Sequence, residues 1–145
     1  MDKQRVDAEQ EVIESIRKVI ATAVLYSHQV AERLGLGPSD AQFMTLLEVH
    51  GPLTPGRLAE LTGLRTGTVT GVLDRLETAG FIRRDRDLHD RRKVIVSRDE
   101  EQIRSRVEPE YRGRAEATLA LLGRYDDAQL ATVVDFFRQL SSPGR

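Results

Sequence analysis

The chain has 145 residues and a mass of 16.3 kDa, the size of one domain with or without added dimerisation elements, and enough to bury a real core. Its 39% apolar and 31% charged residues, with only 11 Gly and 5 Pro, describe a folded, helix-rich protein and not a disordered one. The absence of cysteine excludes a disulfide framework, a thiolate zinc site, an iron–sulfur cluster and a thiol-oxidation switch.

The longest run without Asp, Glu, Lys or Arg, from Val19 to Ala31, is 13 residues, well short of the about 20 that a membrane-spanning helix needs. Met1 to Asp7 lacks a basic segment followed by an apolar one, so no signal peptide and a cytoplasmic location are expected. The net charge of −1 conceals a division along the chain. Residues 54–98 hold ten Arg or Lys against six Asp or Glu, a surplus of +4, and the remainder carries −5. A positive middle between acidic ends suits one segment that meets a polyanion, although an unevenly charged solvated surface has the same arithmetic.

In chain order, Val12, Ile13, Ile16, Val19, Ile20, Ala23, Val24, Val30 and Leu34 recur at spacings of three and four, which predicts a long helix from about Glu9 to Leu34. Gly35-Leu36-Gly37-Pro38 ends it. Ser39-Asp40-Ala41-Gln42 has the capping-box pattern and opens a second helix, carrying Phe43, Met44, Leu46, Leu47 and Val49, that stops at His50-Gly51-Pro52. Thr54-Pro55 starts a short helix to about Leu61, since Thr can cap free amides and Pro at the first helical position loses nothing by lacking an N–H. Gly63 then supplies a tight turn. Thr66 or Arg65 opens a further helix to about Ala79 with Val69, Val72, Leu73 and Leu76 on its buried side.

Phe81 to Arg86 and Lys93 to Ser97 are short and β-rich and flank a polar segment, Asp87 to Arg92, which reads as a hairpin with a charged loop. Ser97-Arg98-Asp99-Glu100 fits another capping box before a long helix that Pro109 should kink. Asp126 can cap a final helix with Gln129 at its third position, and Ser141-Ser142-Pro143-Gly144 should fray. The expected fold class is therefore mainly α with a small β-hairpin wing: a winged helix-turn-helix with N- and C-terminal dimerisation helices. The whole chain, 1–145, forms one such domain, with the winged lobe at 38–98 and the helical dimerisation region at 5–36 and 98–142.

Short helix, glycine turn, second helix and charged hairpin coincide with the positive third of the chain. Such a helix fits the major groove of double-stranded DNA while the hairpin extends to the minor groove. Candidates on the exposed side of the helix are Arg65, Thr66, Thr68, Thr70, Gly71 and Arg75: hydroxyls bond phosphate or base edges, a Thr methyl can touch a thymine methyl, and Arg can bond guanine with two donors. The same threonines would also suit a helix that they merely cap and solvate. Arg91 and Arg92 at the loop tip suit the negative potential of a narrow minor groove. Asp90 would hold one of them by a charge-assisted hydrogen bond. Arg83, Arg84, Arg86 and Lys93 would contact phosphates.

Leu58 to Leu64, then Val69-Thr70-Gly71-Val72-Leu73-Asp74-Arg75-Leu76-Glu77-Thr78-Ala79-Gly80-Phe81-Ile82-Arg83-Arg84, then Asp90-Arg91-Arg92-Lys93-Val94-Ile95-Val96-Ser97, together resemble the core of the MarR family of bacterial transcriptional regulators. The resemblance extends over almost the whole chain. It implies a homodimer with interleaved terminal helices and two winged lobes on a palindromic operator, usually as a repressor. It places groove contacts on the helix with Thr66, Thr68, Thr70 and Arg75, and the minor-groove contact on Asp90, Arg91 and Arg92. Gly71 departs from the longer polar or basic side chain of several members. The family often binds a small aromatic or phenolic effector beneath the dimerisation helices, which directs attention to Arg17, Tyr26, His28, Met44 and His50, each also explicable as core or surface.

Independently of the resemblance, the apolar stripes of the terminal helices exceed what a compact winged lobe can cover, as expected of an interface. The three His are far apart and lack paired ligand spacing, so neither a metal nor another cofactor is expected. No phosphate loop, nucleophile elbow or His-Glu-x-x-His motif is present, so no enzyme is expected. Two other readings stay open: a non-specific architectural DNA binder, and a winged protein-interaction module for which Arg91 and Arg92 are awkward.

Overall fold

The computed structural model describes residues 2–142. Helix α1 spans Lys3–Arg33. It starts ahead of the first apolar repeat because its polar opening turns carry no hydrophobic signal, yet Asp2 caps them, accepting the Gln4 N–H at 3.1 Å. Helices α2 (Pro38–His50), α3 (Pro55–Thr62) and α4 (Thr66–Thr78) follow. The start of α2 corrects the expectation of a Ser39 cap. Pro38 takes the first helical position, and Asp40, at the third, accepts the N–H of Gly37 at 3.0 Å. Thr54 caps α3 as expected, its hydroxyl oxygen accepting the Arg57 N–H at 3.1 Å, and Gly63 takes the left-handed conformation (φ 70°) that ends the helix.

Strands β1 (Ile82–Arg86) and β2 (Val94–Arg98) form a two-stranded antiparallel hairpin in which Ile82 faces Arg98, Arg84 faces Val96 and Arg86 faces Val94. Leu53, between α2 and α3, exchanges backbone hydrogen bonds with Val96 at 2.7 and 3.0 Å, fastening β2 to the helices. Ser97 does not cap the next helix, because it is paired with Arg83 in the ladder. The cap moves to Asp99, whose carboxylate accepts the Gln102 N–H at 3.1 Å.

Helix α5 (Glu100–Gln102) passes into a π-helical turn, Ile103–Val107, and then into α6 (Glu108–Leu122). The disturbance anticipated at Pro109 takes the form of this wide turn. Proline has no N–H for the carbonyl four residues earlier, and its ring crowds that carbonyl, so the ladder opens before it. The final helix, α7 (Asp127–Leu140), carries the expected capping box: Asp126 accepts the Gln129 N–H at 2.8 Å while the Gln129 amide oxygen accepts the Asp126 N–H at 2.9 Å. Of the tail expected to fray, Ser141 and Ser142 follow α7, and Pro143 and Gly144 lie outside the described residues.

Two compact units meet in sequence at Val107 and Glu108. In the first, Phe43 and Leu47 of α2, Leu58 of α3, Val69, Val72, Leu73 and Leu76 of α4, Phe81, Ile82, Val96 and Ile103 close one buried core. The apolar positions of α4 recur at three and four residues and so fall on one stripe, which leaves the opposite face outside. Each such side chain contributes roughly 1.5–3 kcal/mol on burial. The second unit, α6 and α7 joined by a turn around Gly123 to Tyr125, has no buried residue among those described. None of the described helices is long and apolar enough to cross a membrane.

Candidate nucleic-acid interface

At about 100° per residue, the outward face of α4 is centred on Gly67, Gly71, Asp74 and Thr78, with Thr66, Thr70 and Glu77 on one flank and Thr68 and Arg75 on the other. The glycines leave the middle of this face bare: a Cβ at Gly67 would meet nothing within 4 Å, and one at Gly71 would meet only the Arg75 guanidinium, at 3.9 Å. Arg65 sits at the N-cap, exposed, with Thr66 and Thr68 exposed in the first turn. The Thr70 hydroxyl donates to the Thr66 carbonyl at 3.0 Å, which keeps its oxygen available as an acceptor.

The arginines expected to contact DNA divide into held and free. Arg75 donates from Nε and Nη2 to Oδ1 of Asp40 at 3.3 and 3.0 Å. Arg84 is held more completely. Its Nη2 donates to Asp74 at 2.7 Å and to Glu77 at 3.1 Å, its Nε donates to Glu77 at 3.2 Å, and its side chain is only 25% exposed. These bonds place Arg84 as a brace from β1 to α4, a geometry at odds with a free phosphate contact. Hydrogen bonding to Arg84 holds the Glu77 carboxyl below its ordinary range, while Glu77 and then Asp74 push the Arg84 guanidinium up. Arg83 lies on the other face of the ribbon, as alternation requires. There it lines an open cleft of about 300 Å³ with Leu47, Glu48, Gly51, Pro52, Ser97, Arg98 and Glu100.

The wing tip is shaped by two aspartates. Asp87 accepts the His89 N–H at 2.9 Å, Asp90 accepts the Arg92 N–H at 3.1 Å, and the Asp90 carbonyl accepts the Lys93 N–H at 2.9 Å. The expected grip of Asp90 on an arginine is present but loose: Arg92 Nε lies 3.4 Å away and its side chain is 94% exposed, a pairing that contributes little in water. Asp90 therefore acts first on the backbone. Arg86 donates to the Arg91 carbonyl at 3.3 Å, tying the strand end to the loop, and Arg91 itself is exposed.

Three supports escaped sequence reading. Asp40 and the Asp74/Glu77 pair are described above; the third is Arg106, in the π turn. Its guanidinium stacks 4.1 Å from the centre of the fully buried Phe81 ring and donates to the Ala79 carbonyl at the C-terminal end of α4. Among the residues considered for an effector, Met44 packs against the lobe core, Tyr26 is half-buried with the Arg33 guanidinium 5.9 Å from its ring centre, and Arg17, His28 and His50 are exposed.

A helix with a polar, glycine-cleared face, braced to a hairpin whose tip is cationic, defines a winged helix-turn-helix DNA-binding module. The MarR family model matches residues 37–94, from the start of α2 through the wing loop to the first residue of β2. Over 132 residues the chain is 33% identical to the HTH-type transcriptional regulator YcgE of Bacillus subtilis, an alignment covering 91% of this chain and 85% of that protein. The same fold recurs in the transcriptional regulator Tm0710 of Thermotoga maritima (TM-score 0.65, 22% identity, 90% of this chain and 92% of that one). It recurs again in a MarR family protein of Bacillus stearothermophilus (TM-score 0.61, 24% identity, 97% and 96%). The chain belongs to the MarR family: it is a DNA-binding transcriptional regulator and not an enzyme.

Proposed function

We propose that the protein is a cytoplasmic homodimeric repressor of a palindromic operator, released by a small aromatic or phenolic effector. Helix α4 enters the major groove, where Arg65, Thr66, Thr68, Thr70 and Arg75 meet bases and phosphates. The wing enters the neighbouring minor groove with Arg91 and Arg92, shaped by Asp90 and steadied by Arg86. Arg84 sets the angle between the two elements. The observation that carries this reading is the brace itself, which couples a helix with a bare, hydroxyl-flanked face to a tip whose Arg92 is 94% exposed. Support for the dimer comes from apolar side chains left open on single helices, such as Val19 (64%) and Ile20 (57%) on α1 and Phe137 (56%) on α7. An effector that binds one lobe spacing better than another would shift the population away from the DNA-competent form.

Selection from a random duplex library at near-physiological salt tests the reading. A palindrome with half-sites about one helical turn apart, or a multiple, is expected. Arg92→Ala should weaken binding to that operator several-fold or more while its thermal melt stays close to wild type. Salt-sensitive binding without a motif would instead make the protein an architectural binder.

A further inference from the structure

We propose that Asp40 is a positioning residue for base recognition: it holds the Arg75 guanidinium by its inner edge, so that the outer edge faces the major groove as a preset reader of one guanine in each half-site. The inference rests on the reading that α4 enters that groove.

The anchor is buried and the reader is not. The Asp40 side chain is 9% exposed and that of Arg75 60%. A carboxylate so placed is costly unless its oxygens are satisfied, and both are: Oδ1 accepts Arg75 Nε and Nη2, and Oδ2 accepts the Gly37 N–H at 3.0 Å. Its place in the first turn of α2 adds the favourable end of a helix dipole. Asp40 is thus a fixed point to which the recognition helix is tied across 35 residues of sequence.

Guanidinium chemistry decides what remains. The fork has five N–H donors in one plane. Pairing through Nε and Nη2 uses the side edge and leaves the end edge, one hydrogen on Nη1 and one on Nη2, as two parallel donors. Two such donors match the O6 and N7 acceptors of guanine. Because the side chain is pinned before DNA arrives, less rotamer freedom is lost on contact. The surroundings keep that edge clear, since a Cβ at Gly71, one turn earlier, would already lie 3.9 Å from Arg75 Nη1. Arg84, on the opposite flank, has its side edge on Glu77, donates again from Nη2 to Asp74, and is far less exposed. Arg75 is therefore the arginine within α4 whose donors are arranged for reading.

The test is base selection from a random duplex library with wild type, Asp40→Ala, Asp40→Asn and Arg75→Lys, each melted in parallel to establish folding at the assay temperature. Wild type should select guanine at one position of each half-site. Asp40→Ala should keep the rest of the motif while preference at that position falls roughly tenfold or more. Arg75→Lys, which keeps the charge and lacks the fork, should lose the same preference. Asp40→Asn, closest in shape, should show a smaller loss at the same position, and decides the matter if the alanine variant does not fold. Folded Asp40 variants with the wild-type base profile and only a lower melting temperature would make Asp40 a strut and overturn the proposal. Uniform weakening in Arg75→Lys, with base preferences intact, would make Arg75 a phosphate contact and overturn it while α4 still reads the groove. A wild type that selects no motif would overturn the reading of α4 as well.

Discussion

Between Phe43 and Ile103, eleven apolar side chains are at most 7% exposed, whereas α6 and α7 bury none and α1, 31 residues long, buries only Val30 and Ala31. The apolar residues of α1 and α7 are as large as those of the lobe and just as regularly spaced. Their difference lies in what covers them within one chain. The lobe has helices on several sides of α4 and a hairpin pinned by Leu53, so its core closes on itself. Long single helices have no comparable cover, and stripes of this size are stable in water when another surface meets them. The lobe thus closes its core within one chain, and the dimer proposed above is what would cover the terminal helices.

The sharpest way to break this contrast is to open the closed core. Phe81 is fully buried and also carries the Arg106 stack, so Phe81→Ala should cost about 3–5 kcal/mol, read from urea unfolding. A loss below about 1 kcal/mol would mean that the lobe core is not the cooperative unit. The complementary change attacks the open stripes. Ile20→Glu and Phe137→Glu alter side chains already 57% and 56% exposed in the single chain. They should leave the lobe folded yet convert dimer to monomer in sedimentation at micromolar concentration, and make the melting temperature insensitive to protein concentration. Dimers that persist in both variants would place the interface elsewhere.

The smallest effect is on the lobe surface. The Glu77 carboxyl is held below its ordinary value of 4.5 by hydrogen bonding to Arg84, so its contribution is present above that value and lost as the pH falls through the lower folded one. Glu77→Gln should melt slightly below wild type at pH 7, and the gap should narrow as acidification proceeds below about pH 4.5. A gap that stays constant across this range would show that charge pairing is not what Glu77 supplies.

Much of this architecture was legible because it rests on neighbours in sequence. The stripe of α4, the Thr54 and Asp126 caps and the β-rich flanks of the wing are patterns within a few residues, and each formed where expected. Where local readings erred, a second local rule competed. Pro38 and Asp40 displaced Ser39 at the start of α2, and ladder pairing with Arg83 removed Ser97 from the role of a cap.

The interface was legible as a region and not as a set of roles. Sequence alone determined the winged order of elements, the basic surplus of residues 54–98 and the hydroxyl-rich face of α4, because periodicity, capping and composition are properties of short stretches. Only the tertiary structure decided which arginines are held and which are open. Arg84 meets carboxylates seven and ten residues away, and Arg75 meets one 35 residues away. Such pairings depend on how β1 and α2 approach α4 in space, and hydrogen bonds and ion pairs act over distances of a few ångströms, whatever the separation along the chain.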